Sequence, residues 1–121
     1  MGVLVKNLGT GTLNSLTAQT PGPAVGKSWI VKSVIITNRD AASRTLDLKV
    51  VNGVGLNGSG TATGYIAPPN MAVAAGTTAV VDNEITLQYP SGGTQQTLSI
   101  GATGTTPTAV DIVINGIERD L

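Results

Sequence analysis

Trp29-Ile30-Val31-Lys32-Ser33-Val34-Ile35-Ile36-Thr37 is β-branched through most of its length and carries no helical repeat of apolar positions. Branching at Cβ restricts χ1 and suits a pleated surface, so the run predicts a strand. Both of its faces carry apolar residues, which predicts cover on both sides at one end. Residues 38–44 form a polar turn, and Thr45-Leu46-Asp47-Leu48-Lys49-Val50 then alternates cleanly. The alternation places Leu46, Leu48 and Val50 inward and Thr45, Asp47 and Lys49 toward water. The two runs together predict an antiparallel hairpin.

The rest of the chain repeats the theme in shorter pieces. Residues 65–67, 78–81, 85–88, 97–100 and 110–117 read as strands, with Val110, Ile112 and Ile114 on one face of the last. Gly- and Pro-rich stretches separate them, including a long Gly-rich loop over residues 52–64 and a Gly/Thr loop over 101–107. No segment carries a helix pattern and no sequence repeat suggests a solenoid. Many short strands at this spacing predict an all-β fold, an antiparallel β-sandwich of jelly-roll-like type. Residues 1–25, broken by Gly9, Gly11 and Pro21-Gly22-Pro23, read as an extended N-terminal arm, and residues 26–121 as the sandwich domain. Twelve extended residues reach about 40 Å, so the arm either supplies the domain's own first strand or lies on a neighbouring subunit.

The 121 residues suffice for one domain with one core. Aromatic residues are limited to Trp29, Tyr65 and Tyr89, so Val, Ile, Leu and Ala must build that core. The chain has no histidine and no cysteine, and its seven cations balance seven acids. Most nucleophilic catalysis and transition-metal binding draw on the two absent residue types. Lys6, Lys27, Lys32, Arg39, Arg44, Lys49 and Arg119 are scattered, which argues against nucleic acid and anionic membrane as partners. No apolar run approaches the ~20 residues of a membrane span, and no export signal opens the chain. Gly2 lacks the Ser or Thr that myristoylation expects, because Lys6 stands there. Synthesis in the cytoplasm without export is the expectation, and weak charge suits a subunit of an assembly.

Four motifs invite chemistry and none carries it. Gly53-Val54-Gly55-Leu56-Asn57-Gly58 matches a phosphate-binding glycine pattern, but Ser59-Gly60-Thr61 cannot start the helix such a site needs. Asp82 and Glu84 could share one face, yet a glycosidase also needs sugar platforms and calcium needs more oxygen ligands. Asn57-Gly58-Ser59 is a glycosylation sequon without an export signal. Trp29 reads as a core or sandwich-edge residue rather than a ligand platform. No catalytic residue, metal ligand or cofactor site is assigned, and an enzyme is not expected.

Pro23-Ala24-Val25-Gly26-Lys27-Ser28 leading into the Trp29–Thr37 run and Asn38, then the turn to Arg44 and the Thr45–Val50 strand, resembles a segment of small tailed-phage virion proteins. Ile66-Ala67-Pro68-Pro69, Ala75-Gly76-Thr77, Ile85-Thr86-Leu87 and the closing Val110-Asp111-Ile112-Val113-Ile114-Asn115-Gly116-Ile117-Glu118 extend the resemblance over residues 23–118. The chain departs from the family pattern after Leu87, where Tyr89-Pro90-Ser91-Gly92-Gly93 replaces an acidic turn. The resemblance implies a structural virion protein, a capsid decoration (cement) protein that bridges capsomers on a phage head. It implies the major capsid protein as partner, a homotrimer as the self-assembled state, and the capsid surface as location. The alternative it leaves is a tail, neck or baseplate component that binds a host or virion partner. In either role Val3, Leu4 and Val5 are the candidate anchors of the arm, which would add to a neighbour's sheet edge.

Overall fold

The computed structural model describes residues 5–53 and 61–121. Among these residues the chain is all strand and turn: β1 (Lys6–Leu13), β2 (Lys27–Asn38), β3 (Arg44–Asn52), β4 (Thr61–Tyr65), β5 (Met71–Val73), β6 (Thr78–Val81), β7 (Ile85–Tyr89), β8 (Gln96–Thr103) and β9 (Val110–Asp120), with no helix. All pairings are antiparallel, and the strands form two sheets. In the first sheet β9 lies between β1 and β2, while β6 and β7 share the far side of β2. β6 takes residues 34–37 of β2 and β7 takes residues 27–31. In the second sheet β8 runs along one side of β3, and β4 and β5 divide the other.

The predicted hairpin between β2 and β3 does not form. Residues 39–43 instead carry the chain from the first sheet to the second, so the two strongest strands face each other's sheets rather than pairing. A polar turn of this length permits either outcome, and the choice is made by what each strand meets. β2 finds β9 over almost its whole length, from Lys27↔Asp120 to Asn38↔Val110. β3 finds β8, from Thr45↔Thr103 to Asn52↔Gln96.

Bulges explain the apolar residues on both faces of β2. The β2–β9 register shifts between Val31 and Ser33, so Lys32 is an extra residue. Before it Trp29 and Val31 are buried; after it the buried positions are Val34, Ile36 and Asn38. One inserted residue moves the inward set to the other parity. Gly116 of β9 stands opposite this bulge, where a Cβ would come within 2.1 Å of the Ile30 carbonyl oxygen. On the β4 side of β3 the register also shifts between Val50 and Val51, but the extra residue there, Thr63, belongs to β4, and β3 runs without a shift against β8. Leu46 and Leu48 are buried in the core and Val50 packs against it, as the alternation predicts, while Val51 is buried outside that cluster, on the same side of β3 as Asp47 and Lys49.

Residues 6–13, expected within an extended arm, form β1 and pair with β9 from Lys6↔Gly116 to Leu13↔Val110. Of the two placements the sequence left open, this segment takes its own domain's sheet. Residues after β1 then cross to the second sheet. Gln19 N–H donates to the Ile100 carbonyl and Ile100 N–H to the Gln19 carbonyl, both at 2.9 Å, and Leu98 N–H donates to the Pro21 carbonyl at 2.9 Å. Gly22 allows this close approach, since a Cβ would lie 2.8 Å from the Gln96 carbonyl oxygen.

The two sheets share one buried cluster. Leu13, Val31, Val34, Ile36, Leu87, Val110, Ile112 and Ile114 come from the first sheet, and Leu46, Leu48, Val73, Leu98 and Ile100 from the second. Each fully buried aliphatic side chain contributes about 1.5–3 kcal/mol relative to exposure. Trp29 is the aromatic member, and its indole N–H donates to Glu118 Oε2 at 3.1 Å. Burial with a satisfied polar tip makes it a core residue, consistent with its sequence reading.

Candidate interaction surfaces

Charged groups are mostly used within the chain. Lys6 pairs with Glu118 (3.7 Å), Lys27 with Asp120, Lys32 with Glu84 (2.5 Å), Arg39 with Asp111 (2.6 Å) and Arg44 with Asp40 (2.8 Å). Hydrogen bonding from Arg39, then from the Thr12 hydroxyl, holds the Asp111 carboxyl below the usual carboxylate range. The Asp120 hydrogen bond and charge raise the Lys27 ammonium and are matched by a lowered Asp120. Lys49 lies 5.7 Å from the Tyr65 ring centroid, and Asp47 accepts the Asn70 N–H at 2.8 Å. The Asp82/Glu84 pair is exposed, and the Glu84 carboxylate is held by Lys32. The glycine pattern beginning at Gly53 and the sequon at Asn57 lie largely or wholly outside the described residues.

Sequence reasoning missed a polar clasp between the sheets. Asn38 is fully buried, and its Nδ2 donates to the carbonyls of Ala42 and Val73, both at 2.9 Å. Its Oδ1 accepts the Asp40 N–H at 2.9 Å. The buried Asp40 carboxylate accepts from the Thr108 hydroxyl, from Thr108 N–H (2.9 Å) and from Arg44 Nε (2.8 Å). Those bonds, the Thr108 hydroxyl's first, hold Asp40 well below the usual carboxylate range. Arg44 Nη1 donates onward to Thr105 Oγ1 at 3.0 Å. The group ties the 39–43 turn to β5 and to the loop before β9. Its hydrogen-bonding atoms already have partners, so it is a brace rather than a site awaiting ligand. Asn38, Asp40 and Arg44 hinted at it through their turn spacing, but Thr108, 68 positions from Asp40, gave no local signal.

Two surfaces remain. One is the β1 edge. β1 is the terminal strand of its sheet, whereas the other edges are interrupted or covered: β6 and β7 break at residues 82–84, β4 and β5 at 66–70, and β8 is flanked by Gln19 and Pro21. Beside β1, a recess of about 290 Å³ opens over Gly9, Gly11, Gln19 and Pro21, with Ile112 and Ile114 lining it. Of the candidate anchors, Val5 is 57% exposed, next to the start of β1. Val3 and Leu4 lie outside the described residues.

The other surface is the outward face of the first sheet. Cross-strand register aligns Thr10, Val113, Ile35 and Val80 in one row and Ile117, Ile30 and Thr86 in another. Val80 is 59% exposed, and Ile30, Ile35, Val113 and Ile117 are partly exposed. The outward face of the second sheet differs in kind. It carries Thr45, Asp47, Lys49, Ser99, Gly101 and Thr103, and Ala18 lies over Gly101, 3.1 Å from where a Cβ would stand. Sequence alternation could not find the first face, because the bulge at Lys32 made Ile30 and Ile35 look like parts of opposite faces.

No family model, curated protein or solved structure matches this chain.

Proposed function

We propose that this chain is a structural virion protein, a capsid decoration protein that binds the major capsid protein on a phage head and bridges capsomers. The observation that carries the reading is the β1 edge, the terminal strand of its sheet with one bulge between Asn7 and Gly9, and the exposed Val5 beside it. Such an edge offers a row of backbone donors and acceptors for strand addition. Five internal ion pairs support the reading too, since they leave few free cations for nucleic acid or anionic membrane. Two antiparallel sheets around one core fit a β-sandwich of jelly-roll-like topology.

On this reading the chain is made in the host cytoplasm, assembles as a homotrimer and works mechanically, with no catalytic step and no cofactor. Val3, Leu4 and Val5 dock on the shell or a neighbouring copy beside the β1 edge. The docking arm is shorter than residues 1–25, because residues 6–13 are already held in the sheet. Removing residues 1–12 would strip most of β1 from β9 and uncover the core; removing residues 1–4 leaves β1 whole.

Co-sedimentation with expanded capsids stripped of minor proteins tests the proposal. Saturable binding by the full chain, lost in the chain lacking residues 1–4, supports the shell and the arm together. Normal binding by the truncated chain refutes the arm. A chain that ignores the shell and binds host cells is a tail or baseplate component instead.

A further inference from the structure

We propose that the outward face of the first sheet is an oligomer interface, buried against the same face of further copies of this chain. The inference rests on the self-association in the preceding reading and not on the capsid.

A sheet face that meets only water reads polar. Here Ile30, Ile35, Val80, Val113 and Ile117 form two apolar rows on one flat face. The second sheet provides an internal comparison, with Asp47, Lys49 and hydroxyl groups outward and part of its surface covered by the chain's own residues. One chain thus treats its two outward faces in opposite ways.

Between and beside the apolar rows stand Asn7 and Asn115, Ser33, and Thr12, Thr37 and Thr78. Thr12 already donates to Asp111 and Thr37 shares a hydrogen bond with Thr78, while amide and hydroxyl groups such as those of Asn7, Asn115 and Ser33 both donate and accept, so an identical face can satisfy them. A partner of strong charge would find little to match. Arg39–Asp111 and Lys32–Glu84 are already paired, which leaves Arg119, among the described residues, as the one cation on this side without a carboxylate partner. The surface is self-complementary in chemistry and nearly neutral in charge, which favours a second copy over an acidic or basic partner.

Size sets how much of the face must be used. Four strands at about 4.8 Å and 8–10 residues at about 3.3 Å each give a face on the order of 20 Å by 30 Å, or about 600 Å² before side-chain relief. A stable interface buries about 800 Å² per partner, so the whole face and its side-chain relief are needed.

The test is the solution mass of the full chain, by sedimentation velocity across a concentration series and without any capsid. Wild type should form a small defined assembly at micromolar concentration. Ile35→Lys and Val113→Lys should weaken it by about 100-fold or more, and the milder β-branched pair Ile35→Thr/Val113→Thr by at least about 10-fold. Circular dichroism and a cooperative melt confirm that each variant is folded; the Thr pair decides the matter if a Lys variant is not. Lys49→Glu, on the opposite outward face, should leave the assembly unchanged. A wild-type monomer at about 100 μM, or an assembly indifferent to the Thr pair, overturns the proposal. A dimer dispersed by these substitutions upholds the face and corrects the trimer. An intact assembly that fails to bind shells upholds the face and refutes the capsid reading.

Discussion

Replacing Gly116 with alanine adds a single methyl group in place of a hydrogen and should nonetheless be among the most damaging changes in the chain. Gly116 faces the core on β9, opposite the bulge in β2. A Cβ there would stand 2.1 Å from the Ile30 carbonyl oxygen and 2.8 Å from Leu8 Cδ1. Leu8 can rotate, but the Ile30 carbonyl is backbone. Comfortable contact for such atoms is about 3.5 Å, so β9 must move away from β2 by more than an ångström. Overpacking alone costs about 1–3 kcal/mol, and loss of two ladder hydrogen bonds adds about 2. The expected loss is therefore about 3–5 kcal/mol. With an unfolding entropy of about 2.1 cal/mol/K per residue, a chain of this size should lose about 12–20 °C in Tm. Gly9→Ala is the matched control, since Gly9 lies on neighbouring β1 and a Cβ there meets nothing within 4 Å. Its Tm should change by no more than about 3 °C. Thermal melts followed by circular dichroism and by fluorescence of the single tryptophan, Trp29, read both variants. If Gly116→Ala melts within about 2 °C of wild type, the close approach of β2 and β9 is wrong.

Three further outcomes follow from the same geometry. The Asp40 carboxyl is lowered in the folded state, so its stabilisation is full at neutral pH and declines as pH falls below about 4, the unfolded carboxylate value. Asp40→Asn should lower Tm at pH 7 and flatten the decline between about pH 4 and pH 2, measured by melts across pH; an unchanged decline would place the acid sensitivity elsewhere, Asp111 and Asp120 being next. The Thr97 hydroxyl is buried without a hydrogen-bond partner among the described residues, so Thr97→Val should stabilise the fold by about 1 kcal/mol in urea titrations. Lys32→Ala removes an exposed pair with Glu84 and should cost under about 1 kcal/mol, with the difference shrinking further in high salt.

The strands were legible wherever apolar residues alternate or β-branched residues cluster. Residues 78–81 match β6, and Val110, Ile112 and Ile114 share the buried face of β9. Insertions of one residue were not legible. Lys32 changes which side of β2 faces inward, and alternation has no mark for an extra residue of this kind. β1 was hard to recognise for another reason. Its Gly9, Thr10, Gly11 and Thr12 offer little apolar surface, and it is held by pairing with β9 and by Leu8 and Leu13 at the core. The route of residues 39–43 between sheets depends on Thr108 and Val73, both distant in sequence. Of the candidate anchors, only Val5 falls among the described residues, where it is exposed.

An electron-microscopy map of stripped capsids saturated with this chain would test its proposed role most directly. Extra density repeated with the symmetry of the shell at junctions between capsomers, with each copy holding its first sheet toward its sister copies, is the predicted result. Shells that stay bare at saturating concentration, or density confined to a tail or portal vertex, would contradict it.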